Sequence, residues 1–330
     1  GRGAKVLKEL GISFSGGVPN ASNGYAIFQG KKYTLPGGFV SLLTTSLFGL
    51  SAKFELSQLL GLITKIDAHK IQQIQHITVA EWLEQTIRHP QVRALVQTLF
   101  RLATYCNDPY HQSAGAALAQ LQLAVADNVW YVDDGWQTLV GGLRAAAQNA
   151  GVQIVSEAKI AGIDCDSAVH GVCLADGSRH AATSVVIAAG PHEAADLLPP
   201  EKSPCLHEWA AQAKPVYAAC LDVGLSRLPR SKASFALGID QPLYFSVHSA
   251  FATLGPEEGA MIHVAKYLNP SKETDPHQDE HELEGLLDLM QPGWREFTLE
   301  RRFLPHMMVT NAQVTAATGG TAGQPRPAVP

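Results

Sequence analysis

Three short stretches hold residue types that could do chemistry. Ala188-Ala189-Gly190-Pro191 closes the run Ser184-Val185-Val186-Ile187. In open α/β sheets, ligands lie beyond the carboxyl ends of parallel strands, and small residues there let a ligand approach the backbone. Proline then suits the first turn of a following helix, whose free N–H groups favour an anion. A plain strand-to-helix turn would read the same way. Asp134-Gly135-Trp136 opens a helical pattern containing Gly141-Gly142. Bare backbone there would pack on a flat ring or simply make a sharp entry. His277 and His281 share a helical face, but they stand among Asp275, Asp279, Glu280 and Glu282 with no further ligand in view. That is the pattern of a solvated helix start, so no metal site is expected.

Other chemistry is excluded by motif. Gly1-x-Gly3-x-x-Val6 imitates the opening of a GxGxxG loop, but no strand precedes it and the third glycine is missing. Gly319-Gly320-Thr321-Ala322-Gly323 lacks the spacing as well. The sequence has no GxSxG elbow, no HExxH and no GxxxxGK[ST]. The remaining histidines are scattered, none of them beside a credible nucleophile. No catalytic residue can be named, and chemistry must come from a cofactor.

The elements that would position these stretches belong to a chain of 330 residues, with 46% hydrophobic and 17% charged residues. That length supports one large or two ordinary domains and excludes disorder as the main description. Lys and Arg number 25 against 30 Asp and Glu, a net charge of −5, so no nucleic-acid footprint exists. Five cysteines, Cys106, Cys165, Cys173, Cys205 and Cys220, form no CxxC pair and point to a reducing, cytoplasmic setting. No signal peptide is visible. The apolar segment from about Phe39 to Leu50 is too short to cross a bilayer of about 30 Å. It reads as a buried or tunnel-lining helix, with peripheral membrane contact through Leu42, Leu43, Leu47, Phe48 and Leu50 as the alternative.

Residues 4–10 predict a helix closed by Gly11, and Tyr25–Phe28 with Lys32–Leu35 predict a hairpin. From about 39 to 127 the period is helical. Thr78 and Glu81 form a capping box, and Val92, Leu95, Val96, Leu99, Phe100 and Ala103 make one stripe. The helix from Ala114 to about Ala126 is apolar nearly all round and is expected to be buried. After Asp133 the texture changes. A helix from Trp136 to Ala150 is followed by a strand at Val152–Val155, a strand at Ile160–Ile163 and a hairpin around Asp176-Gly177. Ser184–Pro191 predicts a strand buried on both faces. Val216–Val223, Phe235–Leu237, Leu243–Val247 and Met261–Leu268 read as antiparallel strands. Asp275-Pro276 starts a helix that runs to about Met290. This order implies two interleaved domains.

Asp134–Leu143, Gly151-Val152-Gln153-Ile154, Ile160–Ile163, Gly171–Gly177 and Val185–Pro191 together resemble the central stretch of the phytoene desaturase-like flavin-dependent oxidoreductases. These lie within the wider amine oxidase and glutathione-reductase-like flavoprotein superfamily. Gln291-Pro292-Gly293-Trp294 and Leu304-Pro305-His306 are similar to that family too. The resemblance implies an α/β (α+β) fold: a partial glutathione-reductase-type, Rossmann-like FAD-binding domain interleaved with a substrate domain of antiparallel sheet plus helices. The FAD domain would comprise residues 1–24, 131–204 and 300–330; the substrate domain would comprise 25–130 and 205–299. By the same resemblance, Ile160 would meet the adenine end of FAD through its backbone, and Ala188, Ala189, Gly190 and Pro191 would line the dinucleotide. Gly135 and Trp136, with Asp134, would face the flavin or substrate.

The implied activity is transfer of a hydride from a C–H bond of an apolar, isoprenoid-like small molecule to FAD, with the electron acceptor left open. The family's strand–GxGxxG–helix and its C-terminal Gly-Asp segment are not in the sequence. A fragment truncated at both ends is therefore expected, stopping at Pro325–Pro330, poorly soluble and unable to retain FAD alone. A second reading is a non-catalytic binder of prenylated or hydrophobic partners on the same scaffold, as in the GDP-dissociation-inhibitor-like branch.

Overall fold

The computed structural model describes residues 2–19 and 24–321. The expectations that involve Gly1, Ala322, Gly323 and Pro325–Pro330 lie outside the described residues. The chain forms two units. The larger holds the residues up to Ala146, Val216–Val309 and the stretch from Val314; the smaller holds Ala147–Pro215 and Thr310–Gln313. Both are assembled from separated stretches, so the fold is interleaved, a mixed α/β architecture with mixed and antiparallel sheets.

The larger unit opens with α1 (Arg2–Glu9), β1 (Gly16–Gly17), β2 (Tyr25–Phe28) and β3 (Lys31–Thr34). The last two form the expected hairpin, with Phe28 opposite Lys31 and the turn residues Gln29 and Gly30 both at positive φ. Then come α2 (Phe39–Thr44), α3 (Leu50–Lys65), α4 (Ala68–Gln73), α5 (Val79–Thr86), α6 (Pro90–Thr104) and α7 (Ala114–Asp127). The capping box forms at the start of α5: the Thr78 hydroxyl accepts from the Glu81 N–H at 3.2 Å, and the Glu81 carboxylate accepts from the Thr78 N–H at 2.8 Å. On α6, Val92, Leu95, Val96 and Phe100 are buried as their spacing requires.

Two expectations need correction here. Helix α7 is buried only in its first half, because Leu123 and Val125 turn toward a cavity and are 58% and 63% exposed. The apolar segment after Phe39 divides near Thr45. Leu42, Leu47 and Phe48 enter the core, whereas Leu43 and Leu50 stay exposed. Among the described residues, no helix is long and apolar enough to cross a membrane.

Next along the chain are β4 (Tyr131–Val132) and α8 (Gln137–Asn149). The smaller unit contains β5 (Ile160–Cys165), β6 (Val169–Leu174) and β7 (Arg179–Ala181), one antiparallel three-stranded sheet with its turn at Asp176-Gly177. It also holds α9 (Pro191–Ala195) and α10 (Pro204–Gln212).

The predicted strands at Val152–Val155 and Ser184–Pro191 are not formed; among the described residues neither run pairs with a strand. Val186 is 92% exposed, and Ala188 and Ala189 are exposed beside it, so the reading of a strand buried on both faces is overturned. The physical reason is that β-branched residues favour extended backbone, but a strand also needs neighbours for its N–H and C=O groups. Among the described residues the sheet of this unit is the hairpin-linked β5–β6–β7, and neither run is paired to it. Pro191 does start a helix, at its first position.

Back in the larger unit, β8 (Val216–Leu225), β9 (Phe235–Gly238), β10 (Leu243–Val247), β11 (Ala260–Tyr267), α11 (Pro276–Met290) and β12 (Thr298–Thr310) follow among the described residues. The seven-stranded sheet runs β12-β8-β11-β10-β9-β2-β3, with β8–β11, β11–β10 and β10–β9 antiparallel and β2–β9 parallel. Period-two alternation sorts its two faces. Leu221, Val223, Ile262, Val264 and Phe245 join Leu283, Leu287 and Met290 of α11 in one core. A second core packs α3, α5, α6 and α7 on Ala26, Phe235 and Leu237 of the sheet. Of the residues that alternate with the first set, Asp222, Gly224, Met261 and His263 lie outside both cores, and Tyr244 packs at the margin of the second. They line a cavity.

Candidate functional site

The cavity of the larger unit has a volume of 2440 Å³. Its helical wall is Leu56 and Leu60 of α3, Leu95 and Leu99 of α6, and Leu121 and Val125 of α7. Its floor is the sheet face carrying Phe235, Leu237, Tyr244, Met261 and His263. A site for one small ligand typically measures about 300–1,000 Å³. This one therefore leaves room for a planar ring system as well as a substrate.

Gly135 and Trp136 stand on its wall, together with Asp134. Asp134 and Gly135 both take left-handed backbone, at φ 58° and 76°, and no atom comes within 4 Å of where a Cβ on Gly135 would sit. That edge is bare backbone, suited to a flat ring, with Trp136 beside it 74% exposed. The Asp133 carboxylate fixes the turn by accepting from the Thr253 N–H at 2.7 Å, while the Asp134 N–H donates to Thr253 O at 2.8 Å. The Thr253 N–H and then Ser15 hold the Asp133 carboxyl below its ordinary range. Opposite this edge, β1 crosses β4 so closely that a Cβ on Gly16 would overlap the Tyr131 carbonyl, and one on Gly17 that of Phe251. Only glycine permits this approach, and it seats Tyr131 in the wall.

At the polar end of the floor the sheet assembles a cluster invisible in the linear sequence. Antiparallel register places His263 of β11 opposite Asp222 of β8 on one side and opposite Ser246 of β10 on the other. The His263 Nδ1–H donates to the Asp222 carboxylate at 2.6 Å. The His248 ring lies tilted against that of His263, with centroids 4.0 Å and planes 38° apart, and against that of Tyr131, at 4.2 Å and 31°. The hydroxyl of Tyr244 lies 3.5 Å from His248 Nε2 and 3.2 Å from the Tyr131 hydroxyl, which in turn lies 3.5 Å from the buried Ser246. Burial, and then the neighbouring His263, push His248 down to about 3, against a weaker opposite pull from Asp222. Burial also pushes the Tyr244 phenol well above its ordinary value. At neutral pH this end of the cavity presents a neutral imidazole and neutral hydroxyls.

The histidines are thus not all isolated, as the sequence suggested. His89 also has partners: its Nε2 lies 3.1 Å from Ser51 Oγ and its Nδ1 2.7 Å from Glu55. This has the connectivity of a nucleophilic triad. However, both Glu55 oxygens also accept backbone N–H groups, from Arg88 and His89, which makes it a clamp on the turn before α6. Ser51 is exposed and is not among the residues lining the cavity. His277 and His281 are exposed, and no metal-binding cluster exists among the described residues.

The other expected site residues belong to the smaller unit. Ile160 begins β5, half-buried and opposite Leu174, next to a register shift at Gly162. Ala188 and Ala189 lie exposed on the unpaired run, and Gly190 caps α9. A Cβ on Gly190 would overlap the Glu193 carboxylate and the Asn311 amide. The adjacent carboxylate disfavours a phosphate there, so this stretch suits an uncharged part of a ligand.

A family model described as DAO, FAD dependent oxidoreductase, matches residues 52–290, more than half of the chain. The chain belongs to that family. Among solved structures it is similar to an oxidoreductase from Methanosarcina mazei (14% identity, TM-score 0.72, covering 96% of this chain and 76% of that one). It is also similar to a putrescine oxidase mutant (13%, 0.70, 91% and 70%) and to Rab GDI from Plasmodium falciparum (14%, 0.55, 94% and 72%). At these identities the likeness concerns the fold alone. None of the curated proteins matches.

Proposed function

We propose that this chain serves a phytoene desaturase-like reaction, in which an apolar, isoprenoid-like molecule in the cavity loses a hydride from a C–H bond to FAD. FAD, when bound, supplies the hydride acceptor. The observation that carries the reading is the cavity itself: leucine-lined walls, ring-sized spare volume and a bare backbone edge at Gly135. In it, Leu56, Leu60, Leu95 and Leu99 hold the apolar chain of the substrate and exclude water. Gly135 and Trp136 seat the flavin ring. The Ile160 backbone takes the adenine end, and Ala188, Ala189, Gly190 and Pro191 line the uncharged part of the dinucleotide.

Exposed Val40, Leu43, Leu50 and Phe54, at 72%, 56%, 88% and 66%, support a peripheral membrane contact through which such a substrate would enter. The partner is a hydrophobic small molecule, not nucleic acid.

The test is spectroscopic. Purified full-length protein supplied with FAD is expected to retain a flavin absorption band through gel filtration, and that band is expected to bleach anaerobically on addition of phytoene. A folded, full-length preparation that stays colourless overturns the reading.

One observation favours a second reading, a non-catalytic binder of prenylated partners: the likeness to Rab GDI. Under that reading the protein would bind a prenylated peptide without retaining flavin.

A further inference from the structure

We infer that the Tyr131–His248–Tyr244 end of the cavity is a recognition subsite for an alcohol, so that its ligand is an elongated apolar molecule ending in a hydroxyl. This rests on the proposed role of the cavity as the seat of an apolar substrate, and it names what that substrate carries at one end.

A wall built only for hydrocarbon has no use for such a cluster. Burying hydroxyls and an imidazole is unfavourable unless they find partners. The partners available are loose. The Tyr244–His248 and Tyr131–Ser246 separations are 3.5 Å and the Tyr131–Tyr244 separation is 3.2 Å, whereas O–H···O bonds cluster near about 2.7–2.8 Å. Each of these groups has a partner, Tyr244 also meeting Ser246, but the contacts are long, and the chain faces the cavity at Tyr131, Tyr244 and His248.

The group that completes it meets a ring nitrogen, His248 Nε2, whose role the tautomer decides, and a tyrosine hydroxyl, so it has to be able both to donate and to accept. A hydroxyl does both. An ether or a ketone only accepts, and a hydrocarbon does neither. An ammonium only donates, and it would bring a positive charge beside an imidazole that burial and His263 already keep neutral. The titratable groups facing His248 are Asp222 on β8, His263 on β11, Tyr244 on β10 and Tyr131 on β4, and Asp222 is already engaged by His263. Selectivity thus comes from closely packed, hydrogen-bonding neutral groups, with the Asp222–His263 pair holding His248 in place.

The test is a binding titration of the full chain, supplied with FAD and followed by tryptophan fluorescence, since Trp130 and Trp136 both line the cavity. The probes are farnesol, farnesyl methyl ether and farnesylamine. Farnesol is expected to bind about tenfold more tightly than either of the others, the value of one good hydrogen bond. In Tyr244→Phe and, separately, in His248→Phe, that ratio is expected to fall to about one, with the ether's affinity unchanged. A packing role alone would weaken all three probes together.

Equal binding of farnesol and its ether by the parent protein overturns the inference and leaves the apolar cavity standing. Tightest binding of farnesylamine overturns it in favour of an amine. A ratio that survives both variants overturns it as well. If no probe binds, the inference falls together with the apolar-substrate reading, and flavin retained in the same sample shows whether the FAD-binding half of that reading survives.

Discussion

The seven-stranded sheet of the larger unit and the extended runs of the smaller one are written in the same alphabet, yet they end differently. Val216–Leu225 and Ser184–Gly190 are both rich in apolar and β-branched residues. The first is paired to β11 over eight positions, Val223 and Leu221 being fully buried. The second is unpaired, with Val186 almost fully exposed. Strand propensity is a fit to a pleated, half-buried surface and not a property of the segment alone. Where β8 finds β11 and a helix to cover it, the propensity is realised; where a run has no neighbour, it stays an extended edge.

The largest expected effect separates these two regions. Phe245 is fully buried in the core between sheet and α11. Phe245→Ala is expected to cost about 3–5 kcal/mol in urea unfolding. Val186→Thr is expected to change stability by less than about 0.5 kcal/mol, because the residue it alters touches mainly solvent. A Val186→Thr loss comparable to that of Phe245→Ala would mean that the run is packed, and the contrast between the regions would disappear.

A smaller effect probes the polar face of the same sheet. His248 titrates near 3 in the folded chain against an ordinary 6.5. The unfolded chain therefore binds the extra proton first as pH falls. Stability from this group is fully present above about pH 6.5 and is lost progressively toward about pH 3. His248→Phe is expected to flatten the stability profile in that window, measured by urea midpoints at successive pH values. A profile of unchanged steepness would show that His248 is not the group being protonated.

These two faces also show what was legible in the sequence and what was not. Strands β8 to β11 and helix α11 were readable nearly residue by residue, because alternation and the Asp275-Pro276 cap are local signals. The polar cluster left a trace too: Asp222 interrupts Leu221 and Val223, His263 interrupts Ile262 and Val264, and Tyr244 and Ser246 alternate with Leu243, Phe245 and Val247. Each strand thus announced a polar face. Hidden was the register that sets His263 between Asp222 and Ser246, since register is decided by pairing between segments about twenty to forty positions apart along the chain. The same limit explains the failed strands at Val152–Val155 and Ser184–Pro191. Their composition was read correctly, but pairing partners are not a local property. The sharp entry at Gly135 was legible because a left-handed turn before a helix is local. The Ser51–His89–Glu55 contacts were missed because they join a helix start to a distant turn.

The smallest predicted effect concerns a purely local signal, and it sharpens the contrast from the opposite side. Thr78 and Glu81 close the capping box of α5 through four covalently near residues, needing no distant partner to form. Thr78→Ala removes the hydroxyl that accepts the Glu81 N–H, and the Glu81 carboxyl loses its bond from that same hydroxyl. The expected loss is about 1 kcal/mol, and Thr78→Ser is expected to recover most of it. Because Thr78 is also bridged to Ser113 at the start of α7, a larger loss would reveal coupling between the two helix starts. Ser113→Ala measured alone and in combination separates the terms. Additive losses would mean that each cap acts on its own helix. A combined loss smaller than the sum would mean that this local motif, too, draws part of its strength from a partner elsewhere in the chain.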